Sequence, residues 1–402
     1  MRGNLFVVTR VGQLRNVQTF IKERGATNNH LAVLSTDDNP GLRTSITSNV
    51  ETGLFEEVIH IVLPLRPVAQ NGHKNAVIYG LLEDLLVRMT GDAGVENLYL
   101  CNSDNFYVFF QRIPETLGLA LTLNLLEEGL GTYANAGRRR YVRDVSVDWN
   151  EVKRRGRMAR LDGLRHPRAI AALLHTLVSW VLPGGDPIRL AKDAWARSTV
   201  TPKYRYGLIT HYDNAYVYFP DRIYSDNMRI DNVEKLGFVI VPQTPPEMFD
   251  SVEDGAVVFV SQKYLPRRPY VYYSVVLDIL TEMRVGTVYF KFHPRENHSA
   301  TLYEWDQAVR EHPDVDVRTT HEISAIPVEE LMMSGKVSRV IGLTSTALMY
   351  GSAFFPDVDV ISIGSRFRDL ADSETYDVTK RALSEFSRDL EIFLDVSHIP
   401  QF

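Results

Sequence analysis

Apolar residues along this chain fall into two recurring spacings. Compact runs of four to six, such as Leu5–Thr9, Leu31–Leu34, Val58–Leu63 and Leu98–Cys101, read as strands. Between them lie stretches with apolar positions three and four apart. Leu14, Val17, Phe20 and Ile21 mark a helix over Gln13–Arg24; Ile78, Leu81, Leu82, Leu85 and Leu86 mark another over Ala76–Met89. The rhythm returns later: strands at Val257–Val260, Thr287–Phe292, Val340–Leu343 and Val358–Ile363, with helices over Tyr270–Met283 and from about Ala347. Strand and helix in alternation predict parallel sheets covered by helices on both faces.

The pattern predicts an α/β protein of two doubly wound, Rossmann-like domains. Residues 1–200 form the first, 201–231 a Tyr-, Asp- and Pro-rich crossover, and 232–379 the second. The amphipathic stretch from Lys380 to Val396 predicts a helix within 380–402 that returns to the first domain. A chain of 402 residues is too long for one ordinary core, in keeping with two domains. No repeat at a fixed period is present.

Composition narrows the picture little. Apolar content is 45%, charged content 23%, and the net charge of −6 gives no global preference for nucleic acid. One cysteine, Cys101, excludes an intrachain disulfide and a cysteine metal cluster, which fits a reducing cytoplasm. The opening Met1–Asn4 leaves no room for a signal peptide before the first strand, and the apolar stretch Ala169–Leu182 is too short to span a bilayer.

Three short motifs end apolar runs. Glu127-Glu128-Gly129 follows Leu119–Leu126, His293-Pro294 follows Thr287–Phe292, and Thr344-Ser345-Thr346 follows Val340–Leu343. In open α/β sheets ligands bind at the carboxyl ends of strands, where all three motifs fall, so they are expected to share a cleft between the domains. A glutamate there suits proton removal from a hydroxyl, and its neighbour can tune it or anchor the loop. Proline forces the chain out of the strand and leaves His293 beside Lys291 and Arg295, a setting for a phosphate. The hydroxyl triplet would cap a helix whose N–H groups favour an anion. Each motif alone also fits an ordinary turn, strand end or cap. No glycine fingerprint follows the first strand (Thr9-Arg10-Val11-Gly12-Gln13), and Walker, HExxH and Gly-x-Ser-x-Gly signatures are absent.

This combination, with the opening Leu5–Thr9 and Gln13, resembles the bacterial capsule polysialyltransferases, sialyltransferases of GT-B fold. The resemblance implies inverting transfer of a nonulosonic acid from a CMP-activated donor to a glycan hydroxyl, as in capsule or cell-surface polysaccharide synthesis. It implies Glu127 as general base with Glu128 in support. His293 would act on the CMP phosphate as acid or electrostatic catalyst, with Pro294, Thr344, Ser345 and Thr346 completing that subsite. It implies no cofactor and no metal. Gln13, Lys74, Arg138, Arg139 and Arg140 are candidates for an anionic glycan acceptor, and the basic stretch Gly137–Arg168 is equally suited to an anionic membrane surface or to solvent. Expected partners are therefore the CMP-sugar and the glycan, without nucleic acid. The expected location is cytoplasmic, with peripheral membrane contact. Three readings stay open: this transferase, a GT-B enzyme using CMP-Kdo or a UDP-sugar, and a non-catalytic nucleotide-sugar-binding protein.

Overall fold

The computed structural model describes residues 3–36, 40–64, 72–103, 105–129, 131–133, 204, 206–223, 228–238, 242, 244–262, 269–292, 299–319, 323, 326–371, 386–387, 390–391, 393–394 and 397–402. The chain divides into two compact units, Met1–Gly237 and Phe238–Phe402.

The first unit is built on seven parallel strands: β1 (Gly3–Val8), β2 (Asn29–Thr36), β3 (Glu57–Leu63), β4 (Val95–Leu100), β5 (Thr122–Leu126), β6 (His211–Val217) and β7 (Arg229–Lys235). Helices α1 (Val11–Arg24), α2 (Pro40–Ser48), α3 (Gly72–Gly91) and α4 (Phe109–Leu117) connect the first five. The strands lie in the order β3-β2-β1-β4-β5-β6-β7. Every residue of β1 is buried, because a central parallel strand is covered on both faces and its sequence is correspondingly a continuous apolar run. At the edge, β3 alternates between exposed and half-buried positions. Helix α1 stops at Gly25, whose φ of 59° closes the last turn through its N–H on the Ile21 carbonyl.

The second unit repeats the plan with five parallel strands: β8 (Ala256–Val260), β9 (Thr287–Lys291), β10 (Asp316–Arg318), β11 (Val337–Gly342) and β12 (Asp359–Ser362). Their order is β10-β9-β8-β11-β12. Helices α5 (Pro269–Glu282), α6 (Ser299–Glu311), α7 (Val328–Met333), α8 (Thr346–Phe354) and α9 (Gly364–Ala371) follow in turn. Its core gathers Phe259, Tyr273, Phe290 and Trp305 with the aliphatic face of α5. In each sheet the chain starts at the middle, winds to one side, then crosses to the other. The reversal lies between β1 and β4 in one unit and between β8 and β11 in the other, and such switch points open a crevice at the carboxyl ends of the strands.

Both doubly wound units expected from the sequence are present, and their boundaries differ from expectation. The segment 201–231, read as a crossover, supplies β6 and the start of β7. Tyr212, Ala215 and Val217 belong to the first unit's core, and the division comes after Gly237. Polar residues alternate with apolar ones in β6, which lies next to the edge strand; that hid it among loop-forming residues. The described part of 380–402 belongs to the second unit. Phe386 and Leu390 join its core, and the Phe402 N–H donates to the Ser362 carbonyl. Among the described residues no helix is long and apolar enough to cross a membrane.

Candidate functional site

The acidic turn leaves the carboxyl end of β5 and is fixed on several sides. The Glu127 N–H donates to the Tyr216 carbonyl of β6, extending the sheet ladder by one residue. Its carbonyl accepts from Asn16 Nδ2 of α1 at 2.6 Å. Gly129 takes a φ of 114°, a conformation that side chains rarely adopt, and so lets the chain reverse at once. Its carbonyl accepts from the Thr132 N–H, while Thr132 Oγ1 accepts from the Glu128 N–H at 2.8 Å.

The two carboxylates face different surroundings. The Glu127 side chain is fully buried, and its Oε2 accepts from the Tyr133 hydroxyl and from the Tyr218 N–H at 2.6 Å. The same Tyr133 oxygen accepts from the Phe219 N–H at 3.2 Å. Burial, reinforced by the adjacent Glu127 charge, raises the Tyr133 hydroxyl far above its ordinary pKa, so Tyr133 is a donor at any physiological pH. Glu128 keeps 12% of its side chain accessible and lies 3.0 Å from the Arg10 guanidinium. Its charge is felt at Cys101, after β4, and at Tyr107. Burial first, and Glu128 second, push the Cys101 thiol up, which makes it an unreactive core group. Glu128 therefore stands toward the loops after β1 and β4, at the switch point of the first sheet.

Those loops are locked together. Gln13 Oε1 accepts from the Thr9 N–H at 2.6 Å and from Thr9 Oγ1 at 3.1 Å, and the Thr9 and Tyr107 hydroxyls are 3.2 Å apart. Gln13 is 1% exposed, and its Nε2 has no hydrogen-bond partner.

The second unit carries the same kind of lock at its own switch point. Gln262, just after β8, accepts at Oε1 from the Thr344 N–H at 2.7 Å and from Thr344 Oγ1 at 3.2 Å. Thr344 is buried, so its hydroxyl serves this lock. Ser345 caps α8, its Oγ accepting from the Ala347 N–H, and Thr346 opens the helix half-buried. The N–H groups of that first turn and the Ser345 and Thr346 hydroxyls lie at the end of β11, an arrangement that suits an anion.

Of the residues expected from the sequence, Glu127, Glu128 and Gln13 lie after β5 and β1, beside the switch point of the first sheet, and Thr344, Ser345 and Thr346 lie after β11, beside that of the second. Lys74 stands in the first turn of α3. His293, Pro294, Arg138, Arg139 and Arg140 lie outside the described residues. Sequence reasoning missed Arg10, Asn16, Tyr133 and Gln262. Only Gln262 carried a signal, since it follows the first strand of its unit as Gln13 follows that of the other.

One group has the composition of a metal site. His211, Asp213 and Asp231 bring ligand atoms within 4.8 Å of one another. His211 Nε2 is 3.0 Å from Asp231 Oδ2, and Arg229 Nε is 2.7 Å from the other oxygen of Asp231. Asp213 Oδ2 accepts from the Leu123 N–H at 2.6 Å. Each ligand already has a protein partner, and His211 and Asp213 lie toward the amino end of β6, opposite the crevice.

A family model for alpha-2,8-polysialyltransferase (POLYST) matches residues 4–363. No curated protein sequence matches the chain. Among solved structures it is similar to the UDP-bound MnaA of S. aureus, with TM-score 0.47 and 7% identity over 100% of this chain and 92% of that one. A second is the Medicago truncatula UGT71G1 complexed with UDP-glucose, with TM-score 0.49 and 10% identity over 99% and 93%. A third, a putative UDP-N-acetylglucosamine 2-epimerase from Listeria monocytogenes, gives 0.45 and 8% over 100% and 92%.

Proposed function

The chain belongs to the alpha-2,8-polysialyltransferase family and is a glycosyltransferase, and on that premise we propose that it moves a sialic acid from a CMP-activated donor to a glycan hydroxyl with inversion. The observation that carries the mechanism is the contrast between the two glutamates. A base has to reach the acceptor hydroxyl and then hold its proton. Glu127 is sealed from solvent and committed through Oε2 to Tyr133 and Tyr218. Glu128 keeps 12% of its side chain accessible at the switch point, where Arg10 reaches it. The roles implied by the resemblance are therefore exchanged: Glu128 is the base, and Glu127 anchors the turn that presents it.

In the transfer, the acceptor O–H bond breaks and its proton passes to a Glu128 carboxylate oxygen. The acceptor oxygen bonds to the anomeric carbon as the bond from that carbon to the phosphate oxygen breaks. CMP leaves with the electron pair, and the sugar passes through a state with oxocarbenium character. The second unit is assigned the nucleotide. Ser345, Thr346 and the first-turn N–H groups of α8 suit the phosphate, with Gln262 holding the loop through Thr344. His293 and Pro294 keep the phosphate role implied by the resemblance, and the acceptor roles of Lys74, Arg138, Arg139 and Arg140 remain part of the same reading. A monophosphate leaving group held this way needs no metal or other cofactor. Capsule or cell-surface polysaccharide synthesis, a cytoplasmic location and peripheral contact with an anionic membrane complete the proposal.

The test is CMP release from CMP-sialic acid, with CMP-Kdo and a UDP-sugar in parallel, each with and without a sialylated acceptor. Release only from CMP-sialic acid, and only with acceptor, supports the reading. Turnover of CMP-Kdo or a UDP-sugar instead assigns a different donor, and binding without release makes the chain a nucleotide-sugar-binding protein.

A further inference from the structure

The residue that contacts Glu128 breaks a local rule. Arg10 occupies the N-cap position of α1 in an extended conformation and makes no side-chain cap bond. That position favours Ser, Thr, Asp or Asn, and a cation there opposes the positive end of the helix dipole. No acidic residue in the first turn offsets it. Departures from local consistency of this kind are expected at functional or strained sites. The same first turn holds Gln13, whose buried Nε2 is an unpartnered donor. Arg10 thus reaches the acidic turn from the start of α1, with Glu128 as the anion it meets there.

We infer that Arg10 is the acceptor-specificity residue, exchanging Glu128 for a carboxylate on the incoming acceptor sugar and thereby releasing Glu128 to take the hydroxyl proton. The inference rests on the reading of Glu128 as base. The exchange is physically easy in the required direction. Arg10 is 59% exposed, so its guanidinium has room to swing toward a ligand, while Glu128, at 12%, stays in the turn. An acceptor carboxylate offers the planar, two-oxygen partner that a guanidinium binds through parallel hydrogen bonds. The Thr9 N–H on Gln13 and the Thr9 hydroxyl beside that of Tyr107 fix the backbone from which Arg10 projects. An acceptor without a carboxylate leaves Arg10 on Glu128 and the base occupied. Selection of anionic acceptors then comes from the base itself being covered, beyond any added attraction.

The experiment uses the full chain and a short α2,8-linked sialic acid oligomer, free and as its methyl ester. Binding is followed by calorimetry, and transfer by CMP release. Wild type should bind the free oligomer better than the ester. Arg10→Gln should erase that preference and raise the KM for the free oligomer about tenfold or more, with the donor KM unmoved. Arg10→Lys, which keeps the charge and loses the fork, should restore part of the preference. Glu128→Gln removes the competing anion and should bind the free oligomer more tightly than wild type while losing turnover. An acid-to-ester preference that is absent in wild type, or that survives in Arg10→Gln, overturns the inference. So does a matching loss of donor affinity and melting temperature, which would make Arg10 a structural residue. Full turnover in Glu128→Gln would overturn the base assignment alone, because the binding comparison still decides the role of Arg10.

Discussion

The Tyr133 hydroxyl donates to the Glu127 carboxylate inside the first unit, and both side chains are closed to water. This contact separates two adjacent acids that look equivalent in the sequence. A buried carboxylate is tolerated only when it is hydrogen-bonded, and Tyr133 and Tyr218 both donate to its Oε2. Glu128 is thereby turned the other way.

Removing the partner should cost stability before it costs chemistry. Tyr133→Phe leaves the Glu127 carboxylate short of one donor, a loss of about 1–3 kcal/mol. Chemical denaturation should register it as a lower midpoint with unchanged slope. Transfer at temperatures where the variant is folded should fall less than in a Glu128 variant.

Glu128→Gln should lower kcat about 10²- to 10⁴-fold, the usual contribution of a positioned general base. Its melting temperature should fall less than that of Glu127→Gln, since the amide keeps the shape of a side chain that retains 12% of its accessible surface. Glu127→Gln should show the opposite balance, with a clear loss of stability in a denaturation series.

In the second unit, Gln262→Ala leaves the Thr344 N–H and hydroxyl without their shared acceptor and loosens the loop before α8. The expected result is a higher KM for the CMP donor with little change in acceptor KM. Equal KM values for donor in the variant and wild type would remove Gln262 from the donor site.

Alkaline conditions should weaken the fold. Burial is the leading cause that raises the hydroxyls of Tyr107, Tyr133 and Tyr212 above their ordinary value near 10. Below that value neither the folded nor the unfolded chain ionises them. Above it the unfolded chain releases protons that the folded chain retains, so stability falls as pH rises. Tyrosine absorbance followed against pH should show these groups ionising together with unfolding, after the exposed tyrosines. Cys101, raised by the same cause, should react with a thiol reagent only after denaturation.

Turn geometry gives one more outcome. Gly129→Ala forces a Cβ onto a backbone with φ of 114°, a strain of about 1–3 kcal/mol. Relaxation of that strain should shift the Glu128 carboxylate, so kcat should drop even where the melting temperature drops only modestly.

Much of this molecule is legible from local pattern alone. The runs at Leu5–Val8, Val257–Val260 and Val340–Gly342 are apolar because central parallel strands are covered on both faces, and that pattern needs no knowledge of partners. The alternation with helices follows, and so does the placement of three motifs at strand ends. β6 and β7 escaped because strands at and next to a sheet edge leave polar side chains half-exposed, and their seven-residue spans then resemble loops.

The sequence by itself determined the two doubly wound units, the acidic turn and the hydroxyl triplet, because hydrophobic period and turn residues are local properties of the chain. The choice between Glu127 and Glu128 was not local. It depended on Asn16, Tyr133 and Tyr218, which come to the turn from α1, from the residues after Gly129 and from the end of β6. The pairing of Arg10 with Glu128 likewise joins residues far apart in the chain. Burial and hydrogen-bond partners decide what a carboxylate can do, and only the folded chain brings those partners together.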